Sequence, residues 1–389
     1  MKQDFTFYYF ICIGQQKSGL SELLIKGKKQ KNFSNILLPD FQGEGIAQKA
    51  IQPCEEMHGN GNWELDTILQ EPKNCHLHEK MGYRQTGKTR VINERLTLTF
   101  LKKGGRQNMN VIILGSGGCV STPRACCNCR VCTEARQKGF PYARTGCSLF
   151  IEDANILIDT PEDINAALNN SGIQKVEHIL YSHCDPDHTM GMRVIEQLKM
   201  DWLADSLGKK PDNPIEVASL PAILEDIKKQ CTKHGSAIEY YEARGLVYTK
   251  EIRAFKKDNI LIELVPVDEQ EHVAIFIISS NSQKIIYAPC DVKPFPKSEK
   301  FQGADVLVIG NTIVGDILKD GFVLNEDNPL RKELFTLDEI DMIRKKYGIK
   351  RVIITHLEED WGKSYDDYRE LERELNLIHF AYDGLKIRL

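Results

Sequence analysis

The sequence lacks any apolar run of the roughly 20 residues that a membrane-spanning helix needs, which excludes a bundle of such helices. Its most apolar early stretch, Phe5 to Ile13, lacks the layout of a secretory signal. An excess of one charge is missing too. The 51 basic and 55 acidic residues are spread along the chain and leave a net charge of -4, so there is no basic footprint for nucleic acid. Repeats of solenoid period and low-complexity tracts are also absent. The expectation is a cytoplasmic protein with neither membrane nor nucleic acid as partner.

What is present is length for two domains, 389 residues, and 12 cysteines. Cys126, Cys127, Cys129 and Cys132 lie too close together for a disulfide framework, and metal binding suits them better. The texture changes after residue 103. Leu96 to Leu101 alternates as a strand, residues 104–108 form a polar linker, and Val111 to Leu114 starts a fresh strand that runs into Gly115-Ser116-Gly117-Gly118. The expected domains are therefore residues 1–103 and 109–389.

In the second segment, strands are predicted at Leu149 to Ile151, Ile156 to Ile158, Val176 to Ser182, Leu261 to Val267, Val273 to Ser279, Lys284 to Tyr287, Val306 to Ile309 and Val352 to Thr355. Helical periodicity marks Met190 to Met200, Leu220 to His234, Leu337 to Tyr347 and Tyr365 to Leu375. That order predicts an α/β fold of two sheets sandwiched between helices.

The densest chemistry is His183-Cys184-Asp185-Pro186-Asp187-His188, which follows a predicted strand. In an extended segment His183 and Asp185 point to one side, while Asp187 and His188 turn toward a neighbouring point, enough to begin two metal sites. A polar surface loop is the bland alternative, disfavoured by two histidines and two aspartates around a proline at a strand end. The segment resembles the His-x-His-x-Asp-His signature of the metallo-β-lactamase superfamily, with Asp185 in place of the second histidine.

That resemblance implies an αββα sandwich and a hydrolytic centre with two divalent metals. Asp185 brings oxygen where the family has nitrogen, which moves the preference toward manganese, iron or magnesium while zinc stays open. Other family positions follow in order: Asp159 after Ile156-Leu157-Ile158 as a buttress behind the metal loop, Asp291 as the bridging carboxylate, His356 as the last ligand, and Tyr382-Asp383-Gly384-Leu385 as the closing segment. The expected ligands are His183, Asp185, Asp187, His188, Glu269, Asp291 and His356, with Asp187 and Asp291 as the catalytic carboxylates. Glu269 fits best by position where the family supplies a histidine; His272 is the nearest histidine, and the choice stays open.

Cys127, Cys129 and Cys132 have the spacing of a closed structural zinc site. Cys126, Cys119, Cys147 or a residue near Glu359 could complete it. With the glycine-rich first strand, this cluster resembles the phosphoribosyl cyclic-phosphate phosphodiesterases of phosphonate breakdown, and also the B protein of pyrroloquinoline-quinone biosynthesis. In the first group a histidine completes the zinc site where this chain has Glu359. The resemblance implies a metal-dependent phosphodiesterase acting on a small phosphate ester, cyclic esters included. Rival functions are hydrolysis of a lactone or thioester, and a non-catalytic carrier or assembly factor, for which the altered ligands are the motive.

In the first segment, Gln42, Gly43, Gly45 and Ala47 precede a helix and could cradle a pyrophosphate at its N-terminus. With His78-Glu79-Lys80-Met81-Gly82-Tyr83 they resemble the coenzyme-A-binding half of a GNAT acetyltransferase, implying a partial α+β domain with acetyl-CoA as its ligand. Two departures stand out: the glycine spacing is one short, and His78 stands where the family has a tyrosine acid. The first strand and two helices of that family lack room before Pro39. Such a truncated domain docks on its neighbour, pairs with a second copy as a homodimer, or stays loosely folded. A bifunctional acetyltransferase and hydrolase is the third functional alternative.

Overall fold

A computed structural model describes residues 5–13, 16–26, 30–41, 46–58, 63–93, 95–103, 109–257, 259–281 and 283–389. The chain divides into two compact units, Met1–Asn108 and Met109–Leu389. The expected linker, 104–108, lies outside the described residues. Among those residues, no helix is long and apolar enough to cross a membrane.

The first unit is a six-stranded sheet in the order Phe5–Ile13, Gln16–Lys26, Gln30–Leu37, Trp63–Ile68, Leu96–Lys103, Arg84–Asn93. Helices Ile46–His58 and Pro72–Lys80 accompany it, giving α+β architecture. Among its described residues, Leu23, Ile51, Cys54, Trp63, Leu65, Tyr83 and Leu101 form the central apolar cluster. Within it a polar group is fully paired, since the Tyr83 hydroxyl donates to Glu55 (2.7 Å) and Lys103 Nζ lies 2.6 Å from the other Glu55 oxygen.

The second unit holds two seven-stranded sheets. One runs Val247–Glu251, Ile215–Ser219, His178–Leu180, Ile156–Ile158, Ser148–Ile151, Asn110–Gly115, Leu385–Arg388. The other runs Ala254–Lys257, Ile260–Pro266, Ala274–Ser280, Gln283–Ala288, Val306–Ile309, Arg351–Ile354, Ile378–Phe380. Period-two alternation divides the second sheet between two cores. Phe276, Ile278 and Val308 join the cluster shared with the first sheet, whereas Ile275, Ile277 and Leu307 pack outward with Ile340 and Tyr368 of the covering helices. The predicted sandwich of sheets between helices is the architecture observed.

The covering helices start where the sequence caps them. Thr336 and Glu339 close a capping box on Leu337–Lys346, whose last turn carries Arg344, Lys345 and Lys346; Ser364 and Asp367 do the same for Tyr365–Glu374. The helix expected over 220–234 stops early, as Pro221–Lys228. Beyond it Cys231–Thr232 and Gly235–Ser236 pair as a small ladder, because Thr232 Oγ1 accepts the His234 N–H (3.1 Å) and Gly235 takes φ +87. The expected strand Val176 to Ser182 is only His178–Leu180, since the Ser182 N–H leaves the ladder for Asp159 Oδ1 at 2.8 Å.

Candidate metal centre

Ile156–Ile158 and His178–Leu180 are parallel neighbours in one sheet, and Gln283–Ala288, Val306–Ile309 and Arg351–Ile354 are parallel neighbours in the other. The residues that follow these strands gather at one edge of the sandwich, where parallel sheets commonly receive ligands. Asp159 (φ +65), Asp291 (+52), Asn311 (+50) and His356 (+53) all take left-handed backbone within three residues of a strand end. Each such residue costs about 1 to 3 kcal/mol, and strain of this kind collects at functional sites. Gly310 lets the strand ends approach: a Cβ there would stand 1.7 Å from the Pro289 carbonyl oxygen.

Three imidazoles are anchored through Nδ1. Ser182 Oγ spends its hydrogen on Asp159 Oδ2 (2.7 Å), so it accepts from His183 Nδ1 at 2.9 Å. Asp159, fully buried, accepts from His188 Nδ1 at 2.9 Å. Glu358 Oε1 lies 3.2 Å from His356 Nδ1. These bonds leave the Nε2 lone pairs for the centre, the arrangement that metal-binding histidines use. Nε2 of His183 and of His188 are buried with no hydrogen-bond partner in the structure.

Anionic donors meet those nitrogens in three overlapping groups. Asp187, His188 and His356 form an inner one; His183, Asp185 and Asp291 form an outer, more exposed one; His183, His188 and Cys290 lie between them. Within each group every donor atom is within 4.8 Å of the others. Asp187 Oδ2 is 3.2 Å from His356 Nε2 and 3.5 Å from His188 Nε2. Burial alone would raise the Cys290 thiol, but His356, His183 and His188 around it bring it well below the ordinary range. Burial likewise opposes a charged His183, yet Asp185 and Cys290 raise it to about 10. Asp185, Asp187, Asp291 and Cys290 offer four anionic donors, and once the imidazoles give up their extra protons to a metal, two divalent cations would match that charge. Charge as little exposed as that of Asp187 and Cys290 is paired or coordinates metal. The donor set fits a metal centre, and a cleft of about 770 Å³ opens over it.

Glu269 is not part of it. Asp268 Oδ1 accepts the N–H groups of Gln270 and Glu271 (3.0 and 3.1 Å), which turns the loop outward and leaves Glu269 exposed, outside every donor group. The nearest histidine, His272, pairs with Asp226 instead. Cys290 is the residue that sequence reasoning passed over. Its signal was there, a cysteine beside the expected ligand at the end of a strand. Asp291 itself reaches only the outer group.

Cys127, Cys129 and Cys132 do come together, and the fourth donor is Glu359. Cys129 and Cys132 Sγ lie 3.1 and 3.2 Å from Glu359 Oε1. Backbone N–H groups of Cys129, Cys132 and Arg124 donate to the three sulfurs. Glu359 also holds Lys319 Nζ (2.7 Å) and Arg124 Nε (3.2 Å). With the three thiols deprotonated, as a bound metal would make them, four anionic donors against these two cations would leave two charges for one divalent ion to fill. Cys126, Cys119 and Cys147 stand outside this group.

Of the residues expected to hold a pyrophosphate, Gln42, Gly43 and Gly45 lie outside the described residues, and Ala47 is half-buried in the first turn of Ile46–His58. His78 sits in Pro72–Lys80 with its ring edge-on to Tyr83.

No family model and no curated protein matches the sequence. Among solved structures, a diphosphatase from the PhnP family is similar at TM-score 0.52 and 21% identity, over 72% of this chain and 97% of that one. Zinc-bound PqqB from Methylobacterium extorquens is similar at TM-score 0.54 and 19% identity, over 72% of this chain and all of that one. The second unit has the metallo-β-lactamase fold. A spermidine/spermine N-acetyltransferase, SpeG from Vibrio cholerae, is similar at TM-score 0.23 and 23% identity, over 25% of this chain and 65% of that one, a likeness too slight to build on.

Proposed function

We propose that the metallo-β-lactamase-fold unit is a metal-dependent hydrolase whose substrate is a small phosphate diester, cyclic diesters included. The observation that carries the hydrolase reading is the convergence of three Nδ1-anchored imidazoles with four anionic donors beneath one cleft. Divalent metals held there would supply a hydroxide at neutral pH and positive charge for the developing oxyanions.

The chain's own residues set the rest. His188, His356 and Asp187 hold the inner position, and His183, Asp185 and Asp291 the outer one. Asp187 and Asp291 are the carboxylates nearest the reacting groups, and Asn311 steadies Asp291 by accepting its N–H at 2.9 Å. The cleft is of the size that suits a small ligand. Support for a diester comes from the resemblance to cyclic-phosphate phosphodiesterases and from the likeness to a PhnP-family diphosphatase. The cysteine group with Glu359 takes a structural zinc on this reading.

Elemental analysis of the purified chain should find metal beyond one equivalent, and bis(p-nitrophenyl) phosphate should be cleaved. Asp291→Ala and His356→Ala should each lower turnover by about a hundredfold or more, the scale on which loss of a group acting in the transition state is felt. Metal confined to the cysteine group, with no hydrolysis of diesters, lactones or thioesters, would sink the proposal. Preference for a lactone or thioester would overturn its substrate half alone.

A further inference from the structure

We infer that the Cys290 thiolate, rather than the Asp291 carboxylate, is the ligand shared by the two metal positions. The inference rests on the hydrolase reading for the existence of those positions and goes beyond it in their chemistry.

Placement argues first. Cys290 follows Gln283–Ala288 after a single proline, and its side chain is 8% exposed at the floor of the cleft. Its sulfur groups with the donor nitrogens of His183, of the outer set, and of His188, of the inner set. Asp291 Oδ1 lies 3.8 Å from that sulfur, but the carboxylate groups only with His183 and Asp185 on the open side, where its left-handed backbone (φ +52) and the bond from its N–H to Asn311 hold it. Of these two neighbours, only the cysteine groups with donors of both sets.

Competing roles for the thiol fit less well. A cysteine packed as a small hydrophobe sits among apolar groups, whereas three imidazoles and Asp291 surround this one. A disulfide is absent from the structure, where Cys290 is a free thiol. The two unpartnered Nε2 atoms beside it are an independent sign that an ion belongs between these groups.

The consequence is an asymmetric centre. The inner position offers nitrogen, sulfur and one carboxylate, a set that selects zinc; the outer position is richer in oxygen and accepts manganese more readily. Sulfur offsets the hardening that Asp185 brings.

Cobalt(II)-loaded full-length protein provides the test, because thiolate ligation gives a near-ultraviolet charge-transfer band that nitrogen and oxygen ligands do not. Cys127, Cys129 and Cys132 contribute to that band in every variant, so the signal to read is the difference between wild type and Cys290→Ser. The difference spectrum should contain a thiolate band, and the variant should lose affinity for active-centre metal by more than the roughly 10- to 100-fold that loss of a supporting group costs. Cys290→Asp should recover metal content without recovering the band. In apo protein iodoacetamide should alkylate Cys290, and metal should protect it.

An unchanged band and unchanged affinity in Cys290→Ser, with hydrolysis retained, would overturn the thiolate bridge and leave the hydrolase reading standing. Absence of any metal beyond the cysteine group in wild type would overturn both. Circular dichroism of Cys290→Ser and Cys290→Asp separates ligand loss from misfolding.

Discussion

Asp159 Oδ2 lies 2.9 Å from His188 Nδ1, with both side chains fully buried. The carboxylate fixes which ring nitrogen carries the proton and so presents the Nε2 lone pair to the metal centre. Asp159→Asn offers an amide N–H toward Nδ1, which favours the opposite tautomer and turns a proton into the centre. Chelator competition should show metal affinity lower by about 10- to 100-fold, with turnover reduced in parallel. Equal affinity in the variant would mean that the ring is oriented by packing alone.

Much of this centre was legible in the sequence, for a physical reason. His183 to His188 compresses four donors into six residues, so proximity in the chain ensures proximity in space. The strands that carry Asp159 and His356 are β-branched runs with abrupt polar ends, which read directly as strand and site. Cys290 was harder, because a lone cysteine at a strand end looks like core until the fold brings His183 and His356 beside it. Glu359 is 227 residues from Cys132, and no local pattern joins them. Glu269 misled for a local reason: its place after a strand fits a ligand, but the Asp268 turn beneath it sends the side chain to solvent.

Glu359 anchors the cysteine group through charge as much as through ligation. Its side chain is wholly buried against Lys319, whose own side chain is 16% exposed. Glu359→Gln preserves volume but removes the charge that Lys319 and Arg124 answer. Breaking a buried pair by removing one partner costs about 3 to 5 kcal/mol, and the fourth ligand is weakened as well. Guanidinium unfolding should show a loss of that order together with lower metal content, and turnover per active-centre metal should change far less. A variant as stable and as rich in metal as wild type would exclude Glu359 from the structural site.

Asp383 ties the closing segment to the ends of Asn110–Gly115 and Ser148–Ile151 through four bonds. Its Oδ1 accepts from Ser116 N and Oγ (2.9 and 2.8 Å), and its Oδ2 from Thr145 N and Oγ1 (both 2.7 Å). Burial nevertheless dominates and pushes the carboxyl up to about 6 from an ordinary 3.8. Between those values the folded chain keeps a proton that the unfolded chain has released, so the Asp383 contribution to stability is full below pH 4 and falls as pH rises toward 6. At about 1.4 kcal/mol per unit the fall totals about 3 kcal/mol. Metal loss at low pH moves stability the other way, which makes the difference between wild type and Asp383→Asn the quantity to measure. Asparagine cannot accept at both ends, and leaving a backbone N–H unanswered costs about 1 to 3 kcal/mol. Urea unfolding from pH 4 to 7 should therefore show the variant least stable relative to wild type at pH 4, with the gap narrowing as pH rises. A gap that is constant across the range would show that Asp383 titrates alike in the folded and unfolded chains.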